Sequence, residues 1–192
     1  MALSFSISLS AQKIAVKNNL VYDAALTPNL ALEFGMAPKS TLDILGSYNW
    51  FNLGTTTRME GNEEIKIDKK FKHWIVQPEW RFWSCERFNG FFWGIHLHGG
   101  EFNIGNTNMP FGVFDFAENY RYEGYFYGGG LSIGKQWILG KRWNFEASIG
   151  GGYARYHYDK YECGDCGKKV KDGAKNYFGV TKATLSFVYF LR

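Results

Sequence analysis

The stretch HWIVQPEWRFW, residues 73–83, decides the fold class. Its even positions, Trp74, Val76, Pro78, Trp80 and Phe82, are apolar, while Gln77, Glu79 and Arg81 fall among the odd ones, Ile75 to Trp83. A period of two belongs to a β-strand with unlike faces. The same period runs through residues 40–51, where Leu42, Ile44, Tyr48 and Trp50 alternate with Asp43, Ser47 and Asn49. It returns in 145–153, with Phe145, Ala147, Ile149 and Tyr153 against Glu146 and Ser148. At the end of the chain Ala183, Leu185, Phe187 and Tyr189 alternate with Lys182, Thr184 and Ser186. Weaker alternation covers 14–22, 29–36, 91–103 and 124–138. The chain therefore reads as all-β, with eight strands of about nine to fifteen residues.

Composition agrees. The 192 residues suit one domain, and aromatics reach 19% beside 23 glycines. With 45% apolar residues the chain has enough surface to bury for folding. The longest apolar run, Phe187 to Leu191, is far short of the roughly 18 residues of a membrane-spanning helix. A net charge of +4 with both signs interspersed gives no footprint for nucleic acid. Residues 1–11 (MALSFSISLSA) read as the apolar core of a secretory signal, cut shortly after Leu9-Ser10-Ala11. Residues 12–192 then form a single domain.

The connections fall into two kinds. Those at 37–40, 84–90 and 140–143 are short; those at 52–71, 104–122 and 160–176 are long and polar, with a modest one at 23–28. An even strand count places short turns at one end and long loops at the other, the pattern of an outer-membrane barrel. A closed, even set also leaves no unpaired edge. A soluble barrel of the lipocalin kind has a similar count but puts its apolar face inside. Two features favour the membrane. Lys17, Glu33, Asp43, Glu79, Arg81, Glu146 and Lys182 all lie on the polar face beside Gly and Ser, which suits a narrow charged interior. Aromatics also gather where strands end: Trp80, Phe82, Phe91, Trp93, Trp137, Phe145 and Tyr189 toward the short turns, Tyr22, Tyr48, Trp50, Tyr125, Tyr127 and Tyr153 toward the long loops. Two interfacial girdles have this form. The expectation is a closed eight-stranded antiparallel transmembrane β-barrel in a bacterial outer membrane.

Little in the sequence points to chemistry. His96 and His98 share one strand face but have no third metal ligand, and they read as polar interior residues. His157, with Asp159 two residues on, lacks a marked serine partner. The triplets Gly128–Gly130 and Gly150–Gly152 lie mid-strand with no following helix, so they are not phosphate loops. No cofactor motif is present. In an oxidising compartment Cys163 and Cys166 (CGDC) are expected to pair, leaving Cys85 free at a short turn.

Several blocks carry a resemblance. KNNLVYDAALTPNLALEFG (17–35), KHWIVQPEWRFWSCERFNG (72–90), QWILGKRWNFEASIGGGY (136–153), YECGDCGKK (161–169) and NYFGVTKATLSFVYF (176–190) together resemble a family of small outer-membrane β-barrel proteins from Bacteroidota. That family is of unknown function and is found beside fimbrial subunits. The resemblance implies a non-enzymatic protein that anchors, assembles or contacts surface structures such as fimbriae. Its partners would be membrane lipid and a surface protein met through the long loops. The alternative is an enzyme modifying lipid at the outer leaflet. One departure concerns the end of the chain, Phe190-Leu191-Arg192, where barrels of proteobacteria typically place a terminal aromatic.

Overall fold

The computed structural model describes residues 13–60, 63–105, 120–162 and 168–191. The signal-like residues 1–11 and the pair Cys163 and Cys166 lie outside them. The strands are β1 (Ile14–Asn19), β2 (Asn29–Ala37), β3 (Ser40–Asn49), β4 (Asn52–Glu60), β5 (Glu63–Trp83), β6 (Gly90–Gly105), β7 (Tyr120–Ile138), β8 (Trp143–Glu162) and β9 (Lys169–Phe190), with one helical turn, α1 (Leu20–Ala24). All pairings are antiparallel. Eight strands form a ring in the order β3-β2-β1-β9-β8-β7-β6-β5, closed by β3 pairing with β5. The ninth, β4, is a hairpin partner of the first part of β5.

Two of the three long connections differ from the sequence reading. Residues 52–71, expected as a loop, form the β4–β5 hairpin. Strands β8 and β9 run through most of 160–176 and leave only 163–168 between them. Residues 106–119 of the third long connection are not described. The missed strand ends are rich in Lys, Asp and Thr, as in KIDKK (66–70) and KVKDGAK (169–175). Residues 169–175 are exposed on both faces of β9, and a sheet wetted on both faces needs no apolar side, so no alternation announces it there.

The first strand is also shorter than expected. Asn19 ends it: its side-chain oxygen accepts from the Val21 amide at 3.1 Å and caps α1. Asn29 donates to the Asn19 carbonyl at 3.0 Å and to Asp23 at 2.9 Å, closing this polar turn. Short polar side chains that bond nearby backbone compete with a strand ladder in this way. Tyr22 thereby leaves the outer girdle expected for it and lines the space under α1.

The wall is consequently uneven. Strands β5, β7, β8 and β9 have 19 to 22 residues, whereas β1, β2 and β3 have 6 to 10. At the short-turn end Ala15, Phe88, Val188 and Phe190 pack together, and Asn144 holds the Phe88 carbonyl at 3.1 Å. Phe88 takes a left-handed backbone (φ 66) to turn inward. Toward the other end Phe102, Ile104 and Tyr122 form a second apolar cluster. Among the glycines, Gly130 and Gly152 face each other across β7 and β8. A Cβ on Gly130 would stand 2.3 Å from the Gly151 carbonyl, so only glycine allows this approach. No helix among the described residues is long and apolar enough to cross a membrane, which says nothing of crossing by strands.

Candidate functional site

Polarity across the wall is inverted relative to a water-soluble core. Leu97, Leu131 and Ile133 are 63–65% exposed, while Glu79 and Arg81 are at 0% and 1%. Strand parity alone produces this, because each side chain faces opposite to its neighbours.

Register then brings the interior charges to one height. Glu33 lies opposite Asp43, and Asp43 opposite Glu79, on consecutive strands. Like charges directly opposite repel, so a cation must stand among them. Arg81 supplies it. Its Nη1 donates to Glu33 at 3.3 Å and to Glu146 at 2.9 Å, its Nη2 donates to Asp43 at 2.9 Å, and its Nε to Glu79. The guanidinium also stands 4.5 Å over the Phe92 ring. Its planar fork of donors suits four acceptors in a way one ammonium would not.

Two lysines complete the cluster. Lys17 Nζ donates to Glu146 at 2.7 Å and contacts Glu33, with Asp43 at 3.5 Å. Lys182 Nζ donates to Glu79 at 2.7 Å, with Asp43 at 3.9 Å. Thr41 donates to Glu33 and Ser132 to Glu79. Gly94 leaves room, because a Cβ there would lie 2.9 Å from the Glu79 carboxylate. All seven residues named from the sequence are buried and belong to this one network. Four carboxylates against three cations leave one formal negative charge. Thr41, Ser132, Gln77 and Gln136 are buried polar neighbours that the sequence did not single out. Their inward register was the available signal.

The other candidates are placed as follows. His96 and His98 are buried in the ring with their centroids 5.7 Å apart, and His96 Nε2 meets the Thr181 hydroxyl at 2.9 Å. No group of three His, Cys, Asp or Glu among the described residues is placed to hold a metal. Arg155 Nε donates to His157 Nε2 at 3.2 Å, and the His157 ring stacks with Tyr125 and Tyr127. Cys85 is exposed and free in the turn after β5. Outward aromatics form two tiers. Phe91, Trp93, Trp137 and Trp143 stand near the short turns, and Tyr48, Trp50, Trp74, Tyr125 and Tyr127 stand higher. Glu101 lies in the upper tier itself, opposite Trp74 and Tyr125, and accepts from Trp74 Nε1 at 3.0 Å. Above it the outer surface turns polar, with Glu123 opposite Asp159.

These features define a class: an all-β protein whose eight antiparallel ring strands enclose a buried ionic network. The chain belongs to the family described as Protein of unknown function (DUF3575), whose model it matches over residues 1–191. No curated protein and no solved structure matches it.

Proposed function

We propose that the protein is a closed eight-stranded β-barrel of a bacterial outer membrane, without enzymatic activity, that anchors, assembles or contacts cell-surface structures such as fimbriae. The observation that carries this reading is the outward apolar belt between two aromatic tiers, around an interior filled by ion pairs. Along β6 the belt runs from Phe91 to Gly99, before Glu101. Those nine residues, at about 3.3 Å each and tilted about 35–45°, span about 21–25 Å, close to the roughly 25 Å of an outer-membrane apolar band. The ionic plug argues against a transport channel, since eight strands leave room only for side chains.

The surface role is supported by the wall that rises past the belt. A strand needs about 9–11 residues to cross a bilayer, and β5, β8 and β9 have 20 to 22. The surplus of β8 and β9 offers an extended sheet with polar side chains to a partner outside. Among the described residues His157 is bonded to Arg155 and not to a serine, which favours this role over lipid modification. Two experiments test it. The protein should sediment with outer membranes and migrate faster on a cold gel than after boiling; a soluble, heat-insensitive chain would refute the barrel. Surface crosslinking should capture a surface-structure protein, whereas an altered lipid species in a deletion strain would favour an enzyme.

A further inference from the structure

We propose that the upper lumen is a binding site for one alkyl chain of a fatty acid or single-chain lipid, inserted tail first; this rests on the membrane reading above. A cavity of about 410 Å³ lies between α1 and the ionic cluster. Its walls include Tyr22, Ile75, Phe102, Ile104, Phe126 and Tyr156, with Thr181 and Lys182 below. Volumes of about 300–1,000 Å³ with apolar walls and few polar groups are those of small-molecule sites. Thr27 and His73 add polar groups to the wall, and apart from these, Thr181 and Lys182 it is aliphatic or aromatic.

The cavity has a side seam. Strand β1 pairs with β9 only from Ser186 to Phe190. Just above, the Asn19 side chain takes the place of a strand: it donates to the Ala183 carbonyl at 3.2 Å and accepts from the Leu185 amide at 3.1 Å. Farther along, that edge of β9 has no strand partner among the described residues, and α1 lies against it. The register of β9 also slips here, with Gly150 opposite Lys182 but Gly151 opposite Val180, so Thr181 bulges out of the ladder. Exposed apolar side chains flank the seam: Val21 from α1, Val180 and Phe178 from β9. Hydrocarbon, and not water, is the medium that such a rim suits.

Orientation follows from charge. Among the described residues Lys182 is the one lysine or arginine on the cavity wall, and Glu79 already holds it at 2.7 Å. The cluster beneath has more carboxylates than cations. An anionic head buried there would find no uncompensated positive charge and would pay the cost of desolvation. A hydrocarbon tail has no such cost, so the head stays at the seam.

The test is native mass spectrometry of the full chain released from micelles, loaded separately with dodecanoic acid and with a dodecanoyl lysophosphatidylcholine. One molecule of either retained per chain is the expected result, because the tail is what the site reads. Retention of the free acid alone would overturn tail-first insertion. Ile75→Trp, which fills the cavity, should abolish retention, and Leu131→Trp on the outer face should leave it unchanged. Phe126→Ala should shift preference toward longer chains across an octanoic to hexadecanoic series, and it decides the matter if Ile75→Trp fails to fold. Equal retention in folded Ile75→Trp and wild type, with no shift in length preference for Phe126→Ala, would overturn the site. Flotation with phosphatidylcholine vesicles separates the two proposals. A chain that floats but retains no lipid refutes this inference alone, while a chain that does not float refutes the membrane reading.

Discussion

Replacing Arg81 with alanine removes the one group that touches all four interior carboxylates. Lys17 and Lys182 would then face Glu33, Asp43, Glu79 and Glu146 alone, and the formal charge of the cluster would pass from one negative to two. Stripping a partner from a buried ionic network costs about 3–5 kcal/mol. With a urea slope of about 2 kcal/mol/M, that lowers the unfolding midpoint by about 1.5–2.5 M. The matched control is Arg142→Ala, at an exposed turn where Nη1 donates to the Tyr189 hydroxyl at 3.3 Å. A surface change of that kind stays within about 0.5 kcal/mol, or about 0.25 M. Both variants are unfolded in the same detergent and followed by tryptophan fluorescence. A second substitution sharpens the cause: Asp43→Asn in the Arg81→Ala background should restore part of the loss by removing one unpaired charge. Equal midpoints for Arg81→Ala and Arg142→Ala would refute the claim that the cluster holds the ring together.

Other outcomes follow from the same geometry. Gly130→Val should destabilise by about 1–3 kcal/mol through forced overlap with the Gly151 carbonyl, seen as loss of the folded band on a cold gel. Leu131→Arg, outward in the belt, should cost up to about 2–4 kcal/mol in a bilayer and reduce the fraction inserted into vesicles; no change in insertion would count against the belt. Asn19→Ala, which removes the α1 cap and the bridge to β9, should cost about 1 kcal/mol and raise amide exchange over residues 20–24. Mass mapping under non-reducing conditions should find a Cys163–Cys166 link with Cys85 alkylated in full; stoichiometric zinc or a Cys85 link would contradict that pairing.

The sequence was legible where one strand face is charged or polar and the other apolar. Residues 73–83 announced their strand because Trp80 and Arg81 have opposite requirements. Residues 63–72 of the same β5 did not, since Lys66, Lys69 and Lys70 suit water on either face. Parity put Glu33, Asp43, Glu79 and Arg81 on the inward side, but parity is silent about height. Only the register, Glu33 beside Asp43 beside Glu79, makes one guanidinium the shared partner. The end of β1 at Asn19 was missed for a local reason, because Leu20 and Tyr22 continue the alternation that the Asn19 cap interrupts. The cavity under α1 had no sequence signal, as its walls come from β5, β6, β7, β8 and β9 at distant positions.

The central claim, that the ring turns its apolar face to lipid and its charges inward, is tested most directly by tryptophan quenching. Of the seven tryptophans, Trp80 and Trp83 lie three residues apart on β5 and point opposite ways, at 39% and 3% exposure. Two variants, each keeping one of them and carrying Phe at the other six positions, are reconstituted in vesicles of brominated phosphatidylcholine. Strong quenching of Trp80 beside an almost unquenched Trp83, whose Nε1 donates to Thr41 at 3.0 Å inside the ring, is the predicted result. Stronger quenching of Trp83, or none of Trp80, would contradict the account.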